Sequence, residues 1–359
     1  MVESLQTRNG SADSREIFNI DAQAKLITMP LTSDDLLGLL KRAVTTPWEQ
    51  TLFHAVEAAG YGATVSRLMT GLNRAITLNA NYYYTIDSAY AVDDLFDISV
   101  KQTQTSFEQA RKIAWDFWRD TWSVKTRPYL WKFLVTSAYQ QKIRGEHQFP
   151  SCPLSLNMPV TRHQWCAALA YAICGAPKPA LQEAITSSQR QMGWDQNQTI
   201  VGIHVRRGDK NTECPYIPNH VYINQFCELT RLNQHTKWAI FLTSDDPECH
   251  ADFVKALPHT SIYWDTAEER FNNCNIHMIK VQPQLAWQES VTAAKNIFLL
   301  GQCDYVIGMA SAQFTWIGGL LCVFRHGLDT TRHIMLDPQT AERGHWALSY
   351  GFSRAELLI

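Results

Sequence analysis

The 359 residues amount to about two domains at roughly 150 residues each, ample for cores that need no disulfide or metal staple. Apolar residues make up 45% of the chain and charged residues 18%, which excludes a disordered or low-complexity protein. Lysine plus arginine is 32 against 34 acidic residues, a net charge of −2, so no bulk positive field exists to hold nucleic acid or an anionic membrane, and any phosphate affinity must be local.

Residues 1–30 lack the basic start and apolar core of a signal peptide. Apolar spacing predicts helices over 34–45 and 49–59. The turn Gly60-Tyr61-Gly62 then opens a helical stretch over 64–78 that carries Arg67 and Arg74, followed by the apolar run Tyr82-Tyr83-Tyr84. A glycine turn ahead of a helix is a place where backbone can approach a pyrophosphate closely, although most such pairs are only turns. Further helices are predicted over 103–121 and 161–174, the second closed by Gly175 and Pro177. Trp115, Trp118 and, just past its end, Trp122 fall at helical spacing along the first and read as core. Residues 1–195 are thus expected to form a helix-rich N-terminal half.

From Thr199 onward the rhythm changes. Strands are predicted at 199–206, 238–243, 261–264, 304–309 and 333–336, with helices at 220–232, 247–257, 290–300 and 313–324 between them. Each parallel return needs a crossover helix, so residues 196–359 are expected to form a doubly wound parallel sheet of the α/β class. The weakly charged stretch 298–324 is interrupted by Gln302, Asp304 and Gln313 and reads as helix end, buried strand and helix, not as a membrane span. Residues 265–289 form a long polar segment, with Glu268, Arg270 and His277, that reads as an acceptor-binding or lid loop or as a plain surface loop. The nine cysteines contain no CxxC pair and read as free structural thiols.

Ligands of such sheets sit beyond the strand C-termini, and three motifs lie there. In Val201-Gly202-Ile203-His204-Val205-Arg206-Arg207-Gly208-Asp209-Lys210 an apolar strand delivers an imidazole and three cations, with Glu213 close behind. If the strand continues, Arg206 and Arg207 alternate faces, so one can aim at an anion while the other braces the loop. Arg207-Gly208-Asp209 is also an adhesion tripeptide, but it continues a buried strand where such a motif needs an exposed tip. Ser244-Asp245-Asp246-Pro247 is either a helix cap or a ligand contact. Ser311-Ala312-Gln313 opens a helix whose amides can receive a phosphate, or is a plain cap.

Together, His204-Val205-Arg206-Arg207-Gly208-Asp209-Lys210 with Glu213, Gly60-Tyr61-Gly62, Ser244-Asp245-Asp246-Pro247 and the run from Leu300 to Gln313 resemble the α1,6-fucosyltransferases, including the bacterial enzymes that modify Nod factors. The resemblance covers about 60–84 and 161–324. It implies a GT-B-like architecture of two Rossmann-type halves, the acceptor bound by residues 1–195 and GDP-fucose by residues 196–359. It also implies inverting transfer to a glycan or glycoprotein hydroxyl, through an α1,6 linkage to N-glycan core GlcNAc or a chitooligosaccharide, with no cofactor or metal.

By the same resemblance, Arg206 grips the departing β-phosphate with Ser311 beside it, His204 lies near the nucleotide, and Lys210 and Glu213 activate the acceptor hydroxyl. Gly60, Gly62, Arg207, Asp209, Asp245, Asp246 and Gln313 complete the donor site. Asn296 stands where the family's guanine-reading aspartate is expected, and the Lys210–Glu213 loop is one residue shorter than in the core enzymes. An inactive nucleotide-sugar-binding protein and a protein O-fucosyltransferase are the alternatives. The absence of a leader and anchor points to the cytosol, whereas the family's eukaryotic members imply the Golgi lumen.

Overall fold

The computed structural model describes residues 31–48, 50–57, 60–87, 90, 92–98, 150–208, 216–231, 236–268, 270, 283–309, 311–337 and 356–358. The helix predicted over 103–121 lies outside them, as do Trp115, Trp118 and Trp122.

Helix α1 (Ser33–Thr45) starts at a capping box: Thr32 Oγ1 accepts the Asp35 amide and the Asp35 carboxylate accepts the Thr32 amide. Strand β1 (Gln50–Glu57), helix α2 (Tyr61–Leu78) and strand β2 (Ala80–Asp87) form a βαβ unit. β1 and β2 pair in parallel, with Gln50 opposite Ala80 and Glu57 opposite Asp87. α2 buries Val65, Leu68, Met69, Leu72 and Ile76, one stripe of a 3.6-residue period, and ends at Asn79 in the left-handed region. Strand β8 (Glu356–Leu358) adds antiparallel to the free side of β1.

The helix expected over 49–59 is therefore a strand. Its Thr51, Phe53 and Val56 are β-formers, and pairing on both sides outweighs an apolar spacing that a helix would also satisfy.

A short helix α3 (Val92–Leu95) precedes α4 (Arg162–Cys174), which has its own Thr161/Gln164 capping box, and α5 (Pro179–Met192), which runs from Pro179 at its first turn to Gly193 at φ 67°. The second sheet contains β3 (Thr199–Val205), β4 (Trp238–Ser244), β5 (Ser261–Tyr263), β6 (Tyr305–Gly308) and β7 (His333–Met335). They lie in the order β5-β4-β3-β6-β7, and every pairing is parallel.

Helices α6 (Asn219–Arg231) and α7 (Cys249–Ala256) cover one face: Tyr222, Phe226, Cys249 and Phe253 pack with Val201, Ile203, Val205, Ile240 and Leu242. Helices α8 (Pro283–Gln302) and α9 (Gln313–Arg325) cover the other, packed on each other, with Ile200, Ala239 and Phe241 in their core. The predicted doubly wound sheet is present, and the segment 298–324 resolves into the end of α8, β6 and α9. Among the described residues no helix is long and apolar enough to cross a membrane.

The chain starts the second sheet in the middle, steps outward through β4 and β5, then returns past its origin to β6. The strand order reverses between β3 and β6, the switch point at which open α/β sheets form their ligand crevice beyond the strand ends. α4 packs on α9 and α2 touches both, so the N-terminal βαβ unit lies against the α8/α9 side. Two α/β units, each with parallel strands joined by a helical crossover, are what the expected GT-B-like architecture requires.

Candidate active site

Side chains alternate along β3, and this decides which cation reaches the crevice. Val201, Ile203 and Val205 point toward α6 and α7, and Ile200, Gly202 and His204 toward α8 and α9. His204 is 5% exposed, its Nδ1 is 2.5 Å from Thr315 Oγ1, and its ring stacks on Phe314 at 4.6 Å between centroids. Burial, helped by the charges of Arg206 and Arg207, pushes its pKa down to about 3, so the imidazole is neutral at physiological pH.

Past Val205 the parity continues. Arg206 takes the α8/α9 side and pairs with Asp245 Oδ2. Arg207 takes the other: its guanidinium donates to Asn219 Oδ1 at the start of α6 and to the Arg206 carbonyl oxygen at 3.2 Å, and lies 5.2 Å from the centroid of the Tyr216 ring. The Tyr216 hydroxyl donates to the carbonyl oxygen of Gly208, which sits at φ 55°. One arginine thus faces the crevice and the other braces the turn, as alternation predicts. Arg207, expected among the donor contacts, has its guanidinium engaged in that bracing.

The two aspartates after β4 also divide. Asp245 Oδ1 accepts the Arg207 amide at 2.7 Å while Oδ2 holds Arg206. Burial raises the Asp245 pKa and Arg206 opposes the rise. Asp246 Oδ1 accepts the Glu248 amide at 2.9 Å ahead of α7. Of the two aspartates expected at the donor, Asp245 thus holds the arginine turn and Asp246 closes a local turn ahead of α7. The helix itself begins at Cys249, not at Pro247.

On the facing unit, Gly60 is exposed, and a Cβ there would meet nothing within 4 Å. Gly62 differs. A Cβ on it would lie 2.9 Å from the Phe314 amide nitrogen and 3.0 Å from Gln313 Cβ, so its lack of a side chain lets the first turn of α2 abut that of α9. Ser66 Oγ donates to Gln313 Oε1 across the same contact. Gly62 and Gln313, both expected at the donor, lie where the two units meet. Ser311 is 2% exposed, and its amide donates to Asp337 Oδ2 at 3.1 Å, so the predicted phosphate seat at the start of α9 faces a carboxylate of the chain itself.

Asn296 is buried on α8, its Nδ2 donating to Glu268 Oε1 at 2.6 Å while its Oδ1 lacks a partner among the described residues. Around them, Asp265 Oδ2 accepts from Ser188 Oγ at 2.7 Å and Lys295 Nζ at 2.5 Å, and Lys295 Nζ lies 3.7 Å from Glu268 Oε2. Arg270 donates to the Asp265 carbonyl oxygen at 2.8 Å and lies 3.7 Å over the Trp264 ring. Burial raises the Glu268 pKa against the pull of Lys295 and Arg270. Of 265–289, residues 265–268 form a turn tied into this ion network, and 283–289 form the first turns of α8, where Ala286 and Ser290 continue the buried stripe of Ala293, Ala294 and Ile297.

These first turns of α8 carry a carboxylate that the sequence reading missed. Burial, reinforced by Glu268 and Asp245 and opposed by Arg206, raises the Glu289 pKa to about 7. A helical period run backward from Ile297 would have placed it. Asp209, Lys210, Glu213 and His277 lie outside the described residues.

Comparison with known proteins gives the site its context. No curated protein matches this chain in sequence. Solved structures that resemble it in part include NodZ α-1,6-fucosyltransferase soaked with GDP-fucose, at 13% identity and a TM-score of 0.46, over 76% of this chain and 92% of that one. FUT1 of Arabidopsis thaliana in complex with GDP is similar at 13% identity and a TM-score of 0.47, over 84% and 75% of the two chains. POFUT1 in complex with GDP-fucose is similar at 11% identity and a TM-score of 0.44, over 81% and 98%. A family model of the alpha-(1,6)-fucosyltransferase N- and catalytic domains matches residues 165–327, which hold β3, the Arg206 turn, the Asp245 motif, α8 and the start of α9. Over that span the resemblance read from the motifs holds, and the chain is similar to the catalytic part of the α-(1,6)-fucosyltransferases.

Proposed function

We propose that the protein transfers L-fucose from GDP-fucose to a hydroxyl of a glycan, in an inverting single displacement. The observation that supports it most is the placement of Arg206: a partly exposed guanidinium just past β3, at the strand-order reversal, on the side facing the N-terminal unit. As the acceptor oxygen bonds to fucose C1, the bond from C1 to the β-phosphate oxygen breaks, and its electron pair leaves with GDP. A guanidinium can donate two parallel hydrogen bonds to that phosphate while keeping Asp245, because it carries five N–H donors.

The hydroxyl proton needs a carboxylate. The family resemblance assigns that part to Glu213, with Lys210 holding it ionised. His204 stays neutral and rigid under Arg206, locked by Thr315 and Phe314, and fixes the strand end from which the arginine projects. An α1,6 linkage to N-glycan core GlcNAc or a chitooligosaccharide is the acceptor chemistry that the same resemblance favours.

The test is GDP release from GDP-fucose in the presence of N-glycan and chitooligosaccharide acceptors. Loss of one preorganised charge-stabilising donor typically costs about 2.7–4 kcal/mol, so Arg206→Ala should lower turnover by roughly 10²–10³. Undiminished turnover in that variant, or no acceptor-dependent GDP release by the unaltered protein, would refute the proposal.

A further inference from the structure

Helix α8 descends from the edge of the sheet where β5 ends to the edge where β6 begins. The Asp304 amide donates to the Ile200 carbonyl oxygen at 2.8 Å, which ties the foot of α8 to the foot of β3. Glu289 lies about 20 Å up α8 from Gln302 at 1.5 Å per residue. Arg206 lies about 20 Å up β3 from Ile200 at about 3.3 Å per residue. Helix and strand thus bring the carboxylate and the guanidinium to one level, on the same side of the sheet.

The azimuth agrees. Glu289 and Asn296 are seven residues apart and share a face of α8, and Asn296 reaches Glu268 from that face. The charges of Arg206, Asp245 and Glu268 all act on Glu289, which is half-buried, yet no described residue donates a hydrogen bond to its carboxylate. A structural carboxylate in such a place is ordinarily paired, as Asp265 and Glu268 are in the network beside it.

With two further acids nearby, Glu289 is a poor seat for a phosphate and a good one for hydroxyl groups, which donate to a carboxylate in pairs when they are vicinal. We infer that Glu289 binds the hydroxyls of a sugar in the crevice. This rests on the nucleotide-sugar reading above, and two sugars offer the chemistry: the ribose of the donor nucleotide and the sugar of the acceptor.

Glu289→Gln and Glu289→Ala in the full chain separate them. Titrations with GDP and 2′-deoxy-GDP, and the KM for chitotetraose in transfer from GDP-fucose, are the readouts. If ribose is the partner, the preference for GDP over 2′-deoxy-GDP falls at least fivefold in both variants. If the acceptor is, GDP affinity holds and the chitotetraose KM rises about tenfold or more. Variants that unfold like the unaltered protein and change neither quantity overturn the inference. An unaltered protein that binds no GDP defeats the nucleotide-sugar reading itself, and this inference falls with it.

Discussion

Glu289 should make the protein less stable as the pH rises through neutrality, and removing its charge should abolish that loss. The folded-state pKa is raised from the ordinary 4.5 to about 7, with burial the largest cause. A carboxyl whose pKa rises on folding leaves the native state holding more protons than the unfolded one, so stability falls between the two values and the loss is complete above the upper one. At 1.36 kcal/mol for each tenfold change in the proton equilibrium, the whole interval is worth about 3 kcal/mol. Roughly 2.5 kcal/mol of it falls between pH 5 and pH 8. Glutamine keeps the size and does not titrate. The advantage of Glu289→Gln over the unaltered protein, from urea unfolding, should therefore grow by that amount between those two pH values, whatever its offset at pH 5. Parallel stability curves would mean that the carboxylate is solvated like any surface glutamate, which would remove the burial on which its role in the crevice depends.

Arg206→Ala alone leaves Asp245 mostly buried without its guanidinium and should cost about 1–3 kcal/mol of stability, part of which Asp245→Asn should restore. A double-mutant cycle by urea unfolding reads the coupling, and strictly additive costs would show that the pair is not formed. Gly62→Ala should destabilise by about 1–3 kcal/mol, because the new methyl meets the backbone of Phe314. Gly60→Ala, in open space, should stay within about 0.5 kcal/mol, so equal thermal unfolding of the two variants would contradict the packing of α2 on α9.

The parts of this molecule that local chemistry decides were legible in the sequence. From Thr199 onward, short β-branched runs separated by amphipathic stretches admit few arrangements other than parallel strands with crossover helices, and the opposed roles of Arg206 and Arg207 follow from alternation along one strand. What was not legible depends on distant partners. β1 has apolar positions that suit a helix or a strand, and the choice falls to β2 and to β8, some three hundred residues later. Asp245 reads equally as cap or ligand until Arg206, 39 residues away, is found holding it. Glu289 lies one residue ahead of the helix predicted over 290–300, but the charges that give it meaning, Arg206 and Asp245, are distant in the chain. The glycine turn combines both cases. Its position ahead of a helix was plain, but Gly62 takes its meaning from the backbone of Gln313 and Phe314 on another unit. That contact sets the first turns of α2 and α9 side by side, close to the strand end that carries Arg206. Helix N-termini are positive and so is the guanidinium, so an anion entering the crevice meets a field that no one of the three elements supplies alone. The sign of that field also explains the chain's own carboxylates there: Asp337 on the Ser311 amide and Asp245 on Arg206 occupy the positive groups that a diphosphate would otherwise find bare.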